Sequence, residues 1–426
     1  FIIENQKCLT LNIKNHVNMI FQIYLKYTVI RQNTIYLIKN PNILIILKIL
    51  SLFLSENSLE SGSNESFPCL LKIISSFFNI DNLTYVKHQK LVIKIMFLDN
   101  IPQTLKKFFS LSMDQIRNCT KFTSSVIINF LHLIKNMTKW LSLNRNALSF
   151  PIESPNIVLN TLATSECFGI LNLIFSRILA SGVNRTFAIR MPLRLILPSL
   201  LVFSILNNFA RYDLKTFQNT LSHEEYVAEE LLHVLSPVLD HCSKELNIGS
   251  QGFALLFEAI LLIGHFSLKN PKGQDLFSRG TERHSVVFKL ASLPYNFFFG
   301  DFYYKDILYP TLFCLIYKNP RNLSILLSEV NRSILVDYIC HCQESFDKNE
   351  INEAQINSYN TKLNLALESL SSANKNIFEK GLHLAVFRFP LQKLEKLKSS
   401  ILDAPHTPEN SEIDLSNISE SNLDNH

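Results

Sequence analysis

Two stretches of the chain contain the same turn. "SLKNPKGQDLFSRG" (267–280) and "IYKNPRNLSILLSE" (316–329) both place Lys-Asn-Pro between an apolar run and a short amphipathic segment. The two lysines, Lys269 and Lys318, are 49 positions apart. Because a proline drives the residue before it out of the α region, each copy predicts that one helix ends and another begins there.

A further helical pattern follows each copy, "HSVVFKLASL" after the first and "RSILVDYICHC" after the second. One unit of helix, proline turn and helix is too small to bury both faces of its helices, whereas a near-copy stacked beside it covers them. The spacing therefore predicts an all-α fold, an armadillo- or HEAT-like α-solenoid. A fainter copy, "IKNPNILIILKIL", lies at 38–50.

The composition agrees with a helical fold. The 426 residues include only 10 Gly and 15 Pro, fewer turn residues than a β-sandwich or a doubly wound sheet of this length needs. Segment 252–268 is apolar almost all round, with only Glu258 and His265 inside it, and predicts a central helix. The segment that begins at Ser222 predicts an amphipathic helix, with Ser222 and Glu225 at the spacing of a capping box.

Changes in composition divide the chain into four parts. Residues 1–54 are expected to form N-terminal helices, and "SENSLESGSNES" (55–66) has the polarity of a flexible loop. The helical array is expected to cover 67–402, with its clearest repeats at 250–343. Residues 403–426 contain six acidic residues and no Lys or Arg, which predicts a disordered acidic tail.

Charge is divided unevenly along the chain. Residues 1–200 carry 21 Lys and Arg against 9 Asp and Glu, a balance of +12, whereas residues 201–426 carry 20 against 27, a balance of −7. The positive half could attract a polyanion such as RNA, although a solvated basic face is the ordinary interpretation. The candidate polyanion-binding residues are Lys106, Lys107, Arg185, Arg190 and Arg194.

The densest aromatic stretch is "YNFFFGDFYY" (295–304), with seven aromatic residues in ten. Such clusters anchor protein interfaces, but in a helical array they also fill the space between successive layers. Both interpretations stay open at this point. The candidate partner-binding residues are Tyr295, Phe298, Phe299, Phe302 and Tyr303.

Neither a metal site nor an enzyme is predicted. The eight cysteines are mostly isolated, which indicates free thiols in a reducing compartment. Adjacent Cys340, His341 and Cys342, like His241 and Cys242, lack the spacing of two to four residues that structural zinc ligands use. The chain has no nucleophile elbow, phosphate-binding Gly-rich loop or His-Glu-x-x-His motif, so we expect neither a catalytic residue nor a cofactor.

The longest apolar windows, 42–54 and 195–206, are interrupted by Lys48 and Pro198. Both are shorter than the roughly 20 residues that a membrane-spanning helix needs. We therefore expect a soluble, cytoplasmic chain without a transmembrane segment.

A distinctive set of residues lies in segment 253–339. It consists of Asn270 and Gln274, Leu293-Pro294-Tyr295 with Phe298, Tyr309-Pro310-Thr311-Leu312, and Asn319 with Asn322. Through these residues the segment resembles the C-terminal helical region of the family of S phase cyclin A-associated protein residing in the endoplasmic reticulum. The resemblance implies a noncatalytic adaptor in the cytosol and at the endoplasmic reticulum surface. It also implies association with cyclin A and its kinase, and with a ribosome-linked pathway in which a deadenylase complex degrades tubulin mRNA.

Two function classes follow for a chain without catalytic motifs. The first is a scaffold that binds protein partners of the kind that the resemblance implies. The alternative is an RNA-binding helical repeat protein that uses the basic N-terminal half.

The zinc-finger segments of the family lie upstream of the similar region and have no counterpart in this sequence, so their metal binding is not expected here.

Overall fold

The computed structural model describes residues 71, 72, 75, 128, 129, 131–136, 138, 139, 193–223, 225–244, 250–280, 284–294, 298, 305–347 and 391–405. Their regular secondary structure is helical, and no strand occurs among them, which confirms the all-α prediction for this part of the chain. The predicted N-terminal helices at 1–54 and the loop at 55–66 lie outside the described residues, as does the acidic segment after residue 405.

Helices follow one another in groups of a longer, a shorter and a third helix. The first group is α1 (Leu193–Tyr212), α2 (Leu214–His223) and α3 (Glu225–Cys242). The second is α4 (Gln251–Ser267), α5 (Pro271–Phe277) and α6 (Val286–Ala291). The third is α7 (Lys305–Ile316), α8 (Pro320–Leu327) and α9 (Arg332–Asp347), and α10 (Leu391–Asp403) follows.

The first helices of successive groups pack side by side, and so do the third helices of the first two groups. Helix α1 contacts α4, and α4 contacts α7, so the first helix of each group meets the first helix of the next. Helix α3 contacts α6, α6 contacts α8, and α10 packs on α9. Because neighbours cover α4 on several sides, every residue from Phe253 to Ser267 is buried, and the predicted central helix is confirmed.

The amphipathic pattern before α4 is confirmed, but its predicted start is wrong. Leu231, Val234, Leu235 and Val238 form a buried stripe on α3. Ser222, however, lies in the last turn of α2, and α3 begins at Glu225. The Ser-x-x-Glu spacing therefore spans the junction of two helices and does not cap one of them.

Helix α4 touches α7 most closely at Gly264. A Cβ placed there would lie 2.5 Å from Thr311 Oγ1, and that hydroxyl donates a 3.0 Å hydrogen bond to Ile260 O. A glycine at this position lets the two backbones approach each other. The first helices of the second and third groups are thereby joined by a polar contact inside an apolar interface.

The described cysteines agree with the free-thiol prediction. Cys242 and Cys314 are buried, Cys340 is half-buried, and none of these three forms a disulfide. Burial raises the pKa of the Cys314 thiol to about 12.

Within the described part of the chain, no helix combines the length and the apolar character that crossing a membrane requires.

Candidate functional site: the paired Lys-Asn-Pro corners

The repeated turn has the same backbone in both copies. We call residues 268–273 the first corner and residues 317–322 the second corner. Lys269 and Lys318 have φ of 55° and 60°, and the asparagines that follow have φ/ψ of −124°/91° and −126°/92°. The next residue in each corner is the proline that opens a short helix. Each corner is thus a helix end in the left-handed region, followed by one extended residue.

A glutamine from the preceding short helix covers the end of the long helix at each corner. Gln218 of α2 serves α4, and Gln274 of α5 serves α7. Each Nε2 donates to carbonyls that have no partner within their own helix. The accepting carbonyls are His265 (2.7 Å) and Leu268 (2.8 Å) in the first corner, and Cys314 (2.7 Å) and Tyr317 (3.1 Å) in the second.

One further carbonyl is bonded in both corners, but by different side chains. In the first corner Asn270 Nδ2 donates to Phe266 O over 2.9 Å. In the second corner Asn322 Nδ2 donates to Leu315 O over 3.0 Å. Gly273 occupies the position of Asn322 in the first corner, and a Cβ there would lie 2.6 Å from Phe266 O. The first corner therefore has no room for a second amide.

Direct hydrogen bonds hold the second corner against α5. Asn319 Nδ2 donates to Asp275 Oδ1 over 3.0 Å, and Asn322 Nδ2 donates to Gln274 O over 3.1 Å. Gln274 in turn donates to Tyr317 O in the second corner. The short helix that follows the first corner therefore lies directly beside the second corner.

Basic side chains are exposed at both corners and on the short helices next to them. Lys215, Lys272 and Arg321 are each the second residue of a short helix, and all three are exposed. Lys269 and Lys318, in the left-handed position of each corner, are exposed as well. We call these five residues, Lys215, Lys269, Lys272, Lys318 and Arg321, the basic ridge.

A lysine from α10 adds to the positive charge near the second corner. Lys393 Nζ lies 5.8 Å from the centre of the Tyr317 ring, and Lys318 Nζ lies 5.9 Å from the same centre. The quadrupole of the ring attracts both ammonium groups. Helix α10 therefore extends the basic ridge by one cation.

A second polar cluster is buried between α1, α4 and the helical residues 131–136. Asn207 Nδ2 donates to Glu258 Oε2 over 2.7 Å, and Asn207 Oδ1 lies 3.0 Å from His265 Nδ1. Burial lowers the pKa of Lys135, and the negative charge of Glu258 opposes that lowering. Asn207, Glu258 and His265 are at most 2 % exposed, so we interpret this cluster as a packing contact that fixes α1 on α4.

The predicted partner-binding and polyanion-binding residues fall mostly outside the described chain. Phe298 is described and fully buried, and it packs edge-on against Phe257 with ring centres 6.2 Å apart. For this residue the structure therefore favours a place in the core. Arg194 lies in the first turn of α1, with its side chain outside the described residues. The remaining candidates that lie outside the described residues are Tyr295, Phe299, Phe302, Tyr303, Lys106, Lys107, Arg185 and Arg190.

The neighbouring His and Cys residues, whose spacing argues against a zinc site, lie on two helices. His241 and Cys242 are buried at the end of α3, while Cys340 is half-buried and His341 exposed on α9. Within the part of the chain that the structure describes, no three His, Cys, Asp or Glu side chains are grouped as metal ligands would be.

Comparison with known proteins gives no family assignment, since no protein-family model and no curated protein matches this chain.

The basic ridge was not among the sequence-predicted sites. Its signal was nevertheless present, because a basic residue precedes and follows Asn-Pro in both copies of the turn. What the sequence could not reveal is that α5 lies beside the second corner.

Proposed function

We propose that the chain is a noncatalytic scaffold, built as an armadillo-like α-solenoid, that binds protein partners. The observation that carries the proposal is the recurrence of one corner geometry between helices that stack in equivalent pairs, α1 on α4 and α4 on α7. Stacked helical repeats present long continuous surfaces, and proteins built in this way act mainly by binding.

The resemblance described above supports the choice of partners. Several residues that carry it, including Gln274, Thr311, Asn319 and Asn322, make the bonds that join one helical unit to the next. Similarity at such positions favours the same arrangement of units. The proposed partners are cyclin A with its kinase, ribosome-associated factors and a deadenylase complex. The proposed location is the cytoplasm, at the endoplasmic reticulum surface.

Affinity purification of the tagged 426-residue chain followed by mass spectrometry tests this proposal. We expect cell-cycle, ribosomal or deadenylase components among the proteins recovered. Recovery of none of these classes would contradict the proposed partners.

Substitutions in the aromatic stretch 295–304 refine the test. Phe299→Ala and Phe302→Ala are expected to lose the partner without a change in melting temperature. The matched control is Phe298→Ala, which empties a fully buried position and should lower the melting temperature. If all three variants lose stability alike, the stretch belongs to the core, and the partner surface lies elsewhere on the array.

A further inference from the structure

We propose that the basic ridge binds the phosphate backbone of a nucleic acid. Three of its five cations are each the second residue of one of three successive short helices, and the other two precede Asn-Pro in the two corners. All five are exposed. This surface differs from the basic N-terminal half considered from the sequence, and the inference does not rest on the proposed protein partners.

Stability of the fold does not explain these cations. Lys215, Lys272 and Arg321 lie in the first turns of their helices, where the helix dipole repels positive charge, and those turns contain no acidic residue. Lys269 and Lys318 have a left-handed backbone, which glycine adopts more readily than lysine. Helix dipoles or backbone conformation therefore disfavour a cation at each of the five positions, and only Lys318 has a described contact in return, with the Tyr317 ring.

The ridge also lacks neutralising partners. None of its five cations forms an ion pair with a described residue, whereas Arg279 and Lys289, elsewhere in the array, pair with Glu229 and Asp240. Two carboxylates lie near these cations in the sequence, and both accept other hydrogen bonds. Asp213 accepts hydrogen bonds from Thr216, and Asp275 accepts one from Asn319 Nδ2.

The dimensions suit a nucleic acid backbone. Packed helices lie about 8–10 Å apart, so the ends of α1, α4 and α7, after which the three short helices begin, span roughly 20 Å. One strand of a duplex carries a phosphate about every 3.4 Å along its axis, so roughly six phosphates lie along that length. The five cations of the ridge and Lys393 are similar in number to those phosphates.

The surrounding surface favours a nucleic acid over an acidic protein. A protein interface needs an apolar centre with large anchoring side chains. Among the described residues only Leu402, on α10, is a large apolar side chain with substantial exposure. Nucleic acid interfaces are polar and strongly positive, and most of their contacts are made to phosphates.

Fluorescence anisotropy with the full chain and labelled 20-base-pair RNA and DNA duplexes tests the proposal. The test variant combines Lys269→Gly, Lys272→Gln, Lys318→Gly and Arg321→Gln. At about 0.15 M salt we expect at least about tenfold weaker binding than for the unmodified chain, and a slope of log K against log salt that is smaller by roughly 3. Whichever duplex binds more tightly to the unmodified chain identifies the natural class of ligand.

Two controls separate the ridge from other effects. Lys244→Gln removes an exposed cation that precedes α4 in the chain, whereas the first corner follows α4, whose 17 residues extend about 25 Å. This variant should leave binding unchanged. The double variant Lys269→Gly/Lys318→Gly should keep or raise the melting temperature while weakening binding, which excludes unfolding as the cause.

Three results would overturn the proposal. The first is the absence of duplex binding by the unmodified chain. The second is equal binding by the four-residue variant and the unmodified chain. The third is polyglutamate binding that is as tight as duplex binding and equally sensitive to the four substitutions, since it would assign the ridge to an acidic protein.

Discussion

The first and second corners have nearly the same backbone but different side-chain hydrogen bonds. In the first, Asn270 donates to the end of α4 beside a glycine, whereas in the second, Asn322 serves α7 and leaves Asn319 to reach Asp275. Proline and the left-handed lysine determine the course of the chain in both. In both corners the carbonyls at the end of the long helix need a hydrogen-bond donor, but the asparagine that donates occupies a different position in each corner.

The largest difference between the corners is expected at their amides. Asn322 is fully buried and donates to two carbonyls, so Asn322→Ala should lower the free energy of unfolding by about 3 kcal/mol. Asn270 is half-buried and donates to one, so Asn270→Ala should cost about 1 kcal/mol. Urea unfolding of both variants measures the difference. Equal losses would show that the two corners share one bonding scheme.

Gly273 is expected to distinguish the first corner next most strongly. An added Cβ would meet the backbone oxygen of Phe266 at 2.6 Å, so Gly273→Ala should cost about 2 kcal/mol. Gly252 is the matched control, because a Cβ there meets nothing nearer than Ser250 Oγ at 3.8 Å. Gly252→Ala should stabilise α4 by up to about 1 kcal/mol. Similar changes in unfolding free energy for the two variants would contradict the close contact.

The two glutamines test whether both corners depend equally on the preceding short helix. Gln274 is 4 % exposed, whereas Gln218 is half-buried and exchanges its bonds with water more readily. Gln274→Ala should therefore cost about 1.5 kcal/mol and Gln218→Ala about 1 kcal/mol in thermal unfolding. A greater loss at Gln218 would reverse this order and indicate that the first corner is the more tightly bonded.

The smallest effect is expected at the left-handed lysines. Replacing either lysine by glycine relieves a positive φ, and the energy gained exceeds the cost of the extra freedom of glycine in the unfolded chain. Lys269→Gly should gain about 0.5 kcal/mol. Lys318→Gly should gain less, because it also removes the contact of the ammonium with the Tyr317 ring. Lys272→Gly, inside α5, is the control and should lose stability. A loss at Lys269 would mean that its side chain makes a stabilising contact.

The sequence predicted much of the fold around the corners and little of the candidate site. A proline after asparagine and a continuous apolar run depend on local rules, so the helix ends and the central position of α4 were correctly predicted. The capping box at Ser222 was wrong, because the pattern does not distinguish a helix start from a junction between two helices.

The buried environment of Phe298 and the position of the basic ridge depend on contacts between distant residues. Phe298 lies against Phe257, and Asn319 reaches Asp275 from the next helical unit. A cation beside Asn-Pro looks like an ordinary surface lysine in the sequence. It becomes part of a charged surface only when the units stack.

The chain by itself determined where its helices begin and end near the corners, because proline geometry and apolar periodicity act over a few residues. The tertiary structure alone decided which amide serves which helix end, and that the second corner lies beside the short helix that follows the first. Those outcomes require helices to pack at a particular register, and that register depends on close contacts between residues about 50 positions apart, such as the Thr311 hydroxyl on Ile260 O.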